Sequence, residues 1–83
     1  MSTQTTETLN QQVIELVGSY IGIPPEQISL DSQFTADLGF DSLALVEFVM
    51  LAEDKFHIVV PDLESETINT VRDAVHAIHK SMS

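Results

Sequence analysis

The chain has 83 residues, with thirteen acidic and three basic side chains, and its formal net charge is −10. This length predicts one small domain over 1–83, which is too small for a large catalytic cleft. The negative charge disfavours binding to nucleic acid or to an anionic membrane surface, and it favours basic protein partners. Because the chain has no cysteine, disulfides and thiolate metal sites are excluded, and we predict no metal site.

The ends of the chain indicate no targeting or membrane segment. The polar N-terminal residues lack lysine, arginine and an apolar core, unlike a signal peptide or a basic transit peptide. No apolar run approaches the ~20 residues that span a bilayer. We therefore expect a cytoplasmic protein that does not bind membranes, with a disordered lead-in over 1–5 and a frayed tail over 80–83.

Apolar residues recur three, four and seven positions apart near the start of the chain, which predicts a helix over roughly Thr6–Ile21. Gly22 can end this helix in the left-handed conformation, and two prolines that follow prevent its continuation. Turn residues and apolar anchors alternate from Gly22 to Phe40, which predicts a long loop that packs on the core. Within this loop, Ser29–Thr35 is expected to contain a short helical turn.

A second helix is predicted from Asp41 or Ser42 to Phe56. Asp41 is a good N-cap, because its carboxylate can accept hydrogen bonds from the unpaired N–H groups of the first turn. The apolar run Ile58–Val60 follows this helix, and Pro61 ends the run. A single strand would have no partner in this chain, so we interpret the run as an extended connector.

Two further helical segments complete the predicted chain. Asp62–Thr67 is expected to form one or two helical turns, and the last helix is expected to begin near Asn69 or Thr70. Thr70 and Asp73 have the spacing of a capping box at that start. Three longer helices and one short helix predict an all-α fold, a small four-helix bundle with a long loop between helices one and two.

The second helix carries more apolar residues than one core-facing stripe requires. At about 100° per residue, one wide stripe suits the core. Its members are Leu45, Phe48, Val49, Ala52 and Phe56. A second apolar ridge lies on the side of Ser42 and comprises Leu43, Val46 and Met50. The carboxylates that flank this ridge belong to Glu47, Glu53 and Asp54. Both stripes could be buried in the bundle, or the ridge could be a docking surface for basic partners, which the acidic surroundings favour.

Ser42 lies at the first position of the predicted second helix. Unpaired N–H groups and the positive end of the helix dipole make this a good place for a covalently bound phosphate. An Asp–Ser pair can also serve only to start a helix. A nucleophilic serine would need a base, but His57, His76 and His79 are predicted at the far end of this helix or on the last helix. We therefore predict no catalytic residue and no enzyme activity.

The segment Leu38-Gly39-Phe40-Asp41-Ser42-Leu43 resembles the acyl carrier proteins. The resemblance covers nearly the whole chain, from the apolar stripe of the first helix to residues 68–78. It includes Val46-Glu47, Val49-Met50, Glu53-Asp54-Lys55-Phe56 and Val60-Pro61-Asp62. The Asp-Ser-Leu core is a weak motif by itself, but it becomes specific in this register, with this length, charge and helix order.

The resemblance implies that Ser42 carries 4′-phosphopantetheine, which a phosphopantetheinyl transferase takes from coenzyme A. The arm ends in a thiol that holds acyl groups as thioesters, which fits a chain without a cysteine of its own. Asp41 is expected to help the transferase to recognise the serine. The expected partner-binding residues are Leu43, Val46, Glu47, Met50, Glu53 and Asp54. The expected partners are acyltransferases, ketosynthases and other acyl-processing enzymes with basic docking patches, and the carrier itself is expected to be a monomer.

The sequence differs in two places from the carriers of general fatty acid synthesis, and these differences bear on which acyl group the protein carries. The position of Ala44 is often acidic in those carriers, and the stretch 57–60 tends to be more polar there. These departures favour polyketide or another specialised biosynthesis over general fatty acid biosynthesis. Two alternatives remain open, namely a carrier of aminoacyl groups (peptidyl or cell-wall) and an acidic protein-interaction module without a prosthetic group. Gly39-Phe40-Asp41 differs from the sequence that is usual before the serine of peptidyl carriers.

Overall fold

A computed structural model describes residues 6–61 and 67–82 of the protein, and these residues contain three α-helices. Helix α1 spans Thr6–Ile21, α2 spans Ser42–Phe56 and α3 spans Val71–Met82. A short 3₁₀ helix over Pro25–Gln27 lies in the long connection between α1 and α2. The predicted all-helical fold, the bounds of α1 and α2 and the long first loop are confirmed. Within the described ranges, no helix combines the length and apolarity needed to cross a membrane.

The C-terminal third differs in part from the sequence prediction. Helix α3 starts at Val71 and continues through Met82, so it includes three residues of the range expected to fray. The short helix predicted over Asp62–Thr67 falls on residues 62–66, which lie outside the described residues, and on Thr67, which lies in a turn.

Helix α1 ends in a left-handed turn that its sequence encodes. Gly22 has a φ of +79°, a conformation that glycine adopts without a Cβ penalty. Its N–H donates to the Gly18 carbonyl over 2.7 Å, and the Ile23 N–H donates to the same oxygen over 3.1 Å. The chain then folds back so closely that a Cβ on Gly18 would lie 2.5 Å from the Ile23 carbonyl oxygen. Only glycine fits at this position without a shift of the backbone.

The close approach at Gly18 predicts that Gly18→Ala destabilises the protein. Alanine favours a helix interior over glycine by up to about 1 kcal/mol, but overpacking costs about 1–3 kcal/mol. We therefore expect the free energy of unfolding, measured in urea, to fall by up to about 2 kcal/mol. Ser19→Ala, at the exposed neighbouring position, is the control and should leave the stability unchanged or slightly higher. A Gly18→Ala variant that is more stable than the parent by the full gain in helix propensity would contradict the close contact.

The loop between α1 and α2 is tied to the start of α3 by backbone hydrogen bonds. The first N–H groups of a helix have no acceptor within the helix. In α3, the Val71 N–H donates to the Ser32 carbonyl over 3.0 Å, and the Arg72 N–H donates to the Leu30 carbonyl over 2.9 Å. Between Ser29 and Thr35 the structure has turns but no helix, and the Ser32 N–H donates to the Ser29 carbonyl over 3.1 Å. The short helical turn predicted there is therefore present only as a single hydrogen-bonded turn.

Thr70 and Asp73 form the predicted capping box at the same junction. Thr70 Oγ1 accepts a hydrogen bond from the Asp73 N–H over 3.2 Å. Asp73 Oδ2 accepts from the N–H groups of Thr70 and Asn69 over 3.1 and 3.0 Å. An ion pair of 2.7 Å between Arg72 and Asp31 crosses the junction, but it contributes little because both side chains are largely exposed. Helix α3 is thus capped both by its own sequence and by the loop.

Four aromatic rings form the centre of the core. The Phe40 ring contacts those of Phe34, Tyr20 and Phe48, with centroids 4.9, 5.6 and 6.0 Å apart. The three phenylalanines are buried, whereas Tyr20 is partly exposed. Buried apolar residues from all three helices surround the rings, among them Val13, Val17, Val49, Ala52, Val71, Ala74 and Ile78. Because Phe40 precedes Asp41, this cluster fixes the chain just before α2 begins.

Candidate functional site

The segment before α2 is anchored in the core and emerges at the surface. Gly39 has a φ of +75°, which permits a sharp turn, and Phe40 is only 3% exposed. The Phe40 N–H donates to the Phe34 carbonyl over 2.8 Å. Asp41 and Ser42, the next two residues, are both exposed. The start of α2 is therefore held at a fixed place and is open to solvent.

Asp41 caps α2, as predicted. Its backbone is extended, with φ −100° and ψ −177°, and its Oδ1 accepts a hydrogen bond from the Ala44 N–H over 2.7 Å. Its carbonyl accepts from the Leu45 N–H over 3.0 Å. The carboxylate also interacts favourably with the positive end of the helix dipole. Ser42 thus begins a helix whose first turn is held in place by the residue before it.

The arrangement around Ser42 gives no support to a nucleophilic serine. His57 follows the fifteen residues of α2, which places it about 22 Å from Ser42 along the helix axis. His76 and His79 lie on α3, where they line a groove that does not include Ser42. Among residues 6–61 and 67–82, no group of histidine and acidic side chains could hold a metal ion.

The apolar ridge on α2 is exposed to solvent. Leu43, Val46 and Met50 are 66%, 52% and 61% exposed, so the alternative in which both stripes are buried is wrong. Leu51, which the sequence analysis placed on neither stripe, is exposed as well. The stripe predicted to face the core is buried or partly buried there, and it consists of Leu45, Phe48, Val49, Ala52 and Phe56. An exposed apolar face beside carboxylates has the character of a protein-binding surface.

Glu47 is bound by a side chain of α1 that the sequence analysis assigned to the apolar stripe. The Tyr20 hydroxyl donates a hydrogen bond to Glu47 Oε1 over 2.7 Å. This hydrogen bond raises the pKa of the Tyr20 phenol, and desolvation and the charges of Glu47 and Asp41 act in the same direction. The phenol therefore remains a donor at neutral pH. Only the residue type of Tyr20 could have indicated this hydrogen bond in the sequence, because a tyrosine combines an apolar ring with a polar hydroxyl.

Glu53 makes a structural hydrogen bond, although the sequence analysis predicted it as a partner contact. Its Oε2 accepts from the Val60 N–H over 2.8 Å in a partly buried position. His57 has a φ of +57°, and this left-handed turn brings the extended connector Ile58–Val60 back along α2. The Glu53 carboxylate therefore holds the connector, whereas Asp54 is exposed.

The hydrogen bond of Glu53 predicts that Glu53→Ala lowers stability. A hydrogen bond to a charged acceptor contributes about 1.5–3 kcal/mol, and partial exposure reduces this, so we expect a loss of about 1–2 kcal/mol. Glu53→Gln retains an acceptor oxygen and should lose less. Asp54→Ala removes the neighbouring exposed carboxylate and is the control, with an expected change within about 0.5 kcal/mol. Equal urea midpoints for Glu53→Ala and Asp54→Ala would show that the hydrogen bond contributes nothing.

Comparison with known proteins identifies the kind of site. Residues 11–78 match the family described as "Phosphopantetheine attachment site". The chain is 46% identical over 74 residues to the acyl carrier protein of Cyanidium caldarium, an alignment that covers 89% of this chain and 86% of that protein. It is 43% identical over 74 residues to the acyl carrier protein of Chloroherpeton thalassium, with 89% and 92% covered.

A solved structure shows the same fold. The solution structure of the apo doublet acyl carrier protein from prodigiosin biosynthesis matches 96% of this chain, with a TM-score of 0.79 and 35% identity. The present chain spans 38% of that longer chain. Fold and site together define a carrier domain with a phosphopantetheine attachment site.

The protein belongs to the acyl carrier protein family. Members of this family are carriers rather than enzymes, and they hold 4′-phosphopantetheine covalently. Phosphopantetheinyl transferases and acyl-processing enzymes are the general partners of the family.

Proposed function

We propose that Ser42 carries the 4′-phosphopantetheine arm and that the protein delivers acyl groups, held on the arm as thioesters, to partner enzymes. The observation that carries the proposal is the exposed Ser42 at the capped start of α2, directly after Asp41. The group fits these surroundings, because a surface hydroxyl on a fixed helix end leaves room for a long arm. The arm supplies the thiol, and the protein's own residues hold and present it.

Intact-mass spectrometry tests the attachment. The protein is incubated with coenzyme A and a broad-range phosphopantetheinyl transferase, and the expected product gains the mass of one phosphopantetheinyl group per chain. An unchanged mass, or the addition of more than one group, would contradict a single attachment serine.

Asp41 has two separable roles in this proposal, as helix cap and as a charge that the transferase recognises. Asp41→Asn retains an equally good N-cap but removes the charge, whereas Asp41→Ala removes both and should cost about 1 kcal/mol of stability. We expect Asp41→Asn to unfold at a slightly lower urea concentration than the parent, because the charge no longer interacts with the helix dipole, and to gain the arm more slowly. Modification of Asp41→Asn at the parental rate would exclude recognition of the charge.

We further propose that the exposed face of α2 contacts acyltransferases, ketosynthases and other acyl-processing enzymes with basic patches. The proposed contacts are the exposed Leu43, Val46, Glu47, Met50 and Asp54. Glu53 is assigned mainly to the connector, because its carboxylate is engaged with Val60. We propose a monomer that functions in the cytoplasm.

The first turn of α2 supports the proposal that the protein carries the acyl groups of a polyketide or other specialised pathway. That turn contains no acidic residue, and Ala44 and Leu45 are partly buried against the core. A partner that needs a carboxylate at this position would find none. Condensation assays with the loaded protein should therefore proceed faster with a polyketide ketosynthase than with one of general fatty acid synthesis. The opposite order would assign the protein to fatty acid biosynthesis.

A further inference from the structure

The groove that His76 and His79 line lies between α1, the long loop and α3, away from the exposed face of α2. We call it the α1–α3 groove, and its volume is about 250 Å³. The residues that line it are Asn10, Leu30, Arg72, Val75, His76 and His79. No acidic side chain is among these described residues, although the chain contains thirteen acids. The groove therefore differs in charge from the rest of this acidic protein.

Helix α3 holds most of the basic side chains of the chain. Four of the six lysine, arginine and histidine residues lie on it. His76 and His79 follow Arg72 by four and seven residues, so the three share one face and span about 10.5 Å along the axis. The one acid of α3, Asp73, is engaged at the cap with the N–H groups of residues 69 and 70. The face of α3 along the groove thus carries cationic and imidazole groups without a carboxylate.

The polar side chains of the α1–α3 groove are all hydrogen-bond donors. The Arg72 guanidinium has five N–H donors, the Asn10 amide has two, and an imidazole keeps one even when it is neutral. Leu30 and Val75 contribute an apolar floor between α1 and α3. A ligand that matches this lining needs acceptor groups, preferably negatively charged, together with an apolar side chain.

One end of the α1–α3 groove already binds a carboxylate of the chain itself. The Arg72 guanidinium donates a hydrogen bond to Asp31 Oδ1 over 2.7 Å. Both side chains are mostly exposed, at 59% and 83%, so this ion pair is weak. The guanidinium can therefore take a second carboxylate beside Asp31 or in its place.

We propose that the α1–α3 groove binds an acidic segment of a partner protein. Two carboxylates of the segment, about one helical turn apart, meet Arg72 and His76, which are themselves about 6 Å apart along α3. An apolar side chain of the segment covers Leu30 and Val75. The site is independent of Ser42 and of the contacts proposed for α2, so the protein can hold an acidic segment while a basic partner occupies α2.

The size of the groove and the charge of the chain decide the occupant. A volume of about 250 Å³ lies below the ~300–1,000 Å³ of small-molecule pockets, and an inorganic anion would leave the apolar floor uncovered. A second copy of the chain would bring a net charge of −10 to a protein of the same charge. A short acidic segment brings few charges, and at about 0.15 M salt a Debye length of ~8 Å screens them from remote carboxylates.

A designed peptide tests the groove directly. The probe is an otherwise neutral helical peptide with glutamates at positions i and i+4 and a leucine at i+3. Its affinity and its contact site are measured by NMR from the amide shifts of the protein at about 0.15 M salt. A peptide with glutamines in place of the glutamates is the control probe. We expect the glutamate peptide to bind several-fold more tightly, with shifts concentrated at Asn10, Leu30 and residues 72–79. Equal binding of the two peptides, or shifts concentrated in α2, would overturn the proposal.

Variants of the basic residues locate the binding. Arg72→Gln and His76→Gln should each weaken the glutamate peptide about two- to fivefold. Lys55→Gln removes an exposed cation that does not line the groove, and it should leave the affinity unchanged. All three positions are exposed, so the urea midpoints of these variants should stay close to that of the parent. An equal loss in Lys55→Gln would reduce the interaction to general charge attraction and contradict a local site.

A variant of Asp31 tests whether the peptide takes the position of this carboxylate. Asp31→Asn removes the competing charge beside Arg72 and should strengthen the glutamate peptide about twofold. Glu26→Gln removes an exposed acid that does not line the groove, and its effect should be smaller. An equal gain in both variants would show an effect of net charge alone. Weaker binding in Asp31→Asn would show that Asp31 does not compete, and either result would contradict a carboxylate site at Arg72.

Two further measurements separate this groove from the attachment site and from self-association. Ser42→Ala should bind the glutamate peptide as the parent does, so failure of attachment at Ser42 and failure of binding in the groove remain distinguishable. Sedimentation of the protein alone should show a monomer. Self-association that Arg72→Gln abolishes would assign the groove to a second copy and overturn the proposal.

Discussion

Ser42→Ala is expected to abolish attachment of the phosphopantetheine arm completely. The attachment is a phosphodiester to a hydroxyl, and alanine offers no oxygen to form it. Because Ser42 is exposed and Asp41 supplies the cap of α2, the free energy of unfolding should change by less than about 0.5 kcal/mol. Intact-mass spectrometry after incubation with coenzyme A and a phosphopantetheinyl transferase should show only the unmodified chain.

The matched control for this result is Ser19→Ala. Ser19 is also exposed and helical, but it lies in α1 and has no aspartate before it. This variant should gain one arm at the parental rate. A Ser42→Ala protein that remains folded and still gains the arm would place the attachment at another residue and would contradict the proposal.

Phe40→Ala is expected to have the largest effect on stability. The Phe40 ring is 3% exposed and contacts three other aromatic rings, so its loss leaves a cavity in the centre of the core. Such a truncation costs about 3–5 kcal/mol, and a domain of this size has a net stability of only ~3–5 kcal/mol. Circular dichroism should therefore show a largely unfolded protein at 25 °C, with the remaining fraction unfolding at very low urea.

Phe56→Ala is the control for the aromatic cluster. Phe56 is only partly buried and makes no ring contact among those of Tyr20, Phe34, Phe40 and Phe48. We expect a smaller loss and a cooperative urea transition. If the two variants had equal midpoints, the packing of Phe40 against the rings would not be the source of its effect.

The helices were predictable because their signals are local. The spacing of apolar residues and the stop at Gly22 set the bounds of α1, and Asp41 set the start of α2. The path of the long loop was not predictable in this way. Its hydrogen bonds join Leu30 and Ser32 to the first turn of α3, and no pattern in either segment specifies the other.

The same distinction applies to the candidate site. Ser42 and Asp41 were predicted from one short segment, whereas the angle of Met50 on the helix left open whether its side chain is buried or exposed, and the structure shows it exposed. The hydrogen bond of Tyr20 to Glu47 joins residues 27 positions apart, so neither residue alone indicates it. Likewise, the position of Glu53 on α2 does not indicate that the connector Ile58–Val60 returns along the helix and binds its carboxylate.

The junction between the loop and α3 has a kinetic consequence. Single helices form in about 0.1–1 μs, but the first amides of α3 gain their partners only when segments about 40 residues apart meet, as Asp31 and Arg72 do at a separation of 41. The entropy of that closure must be lost before the contacts are gained. Folding of this small helical protein therefore depends on the meeting of these distant segments as well as on helix formation.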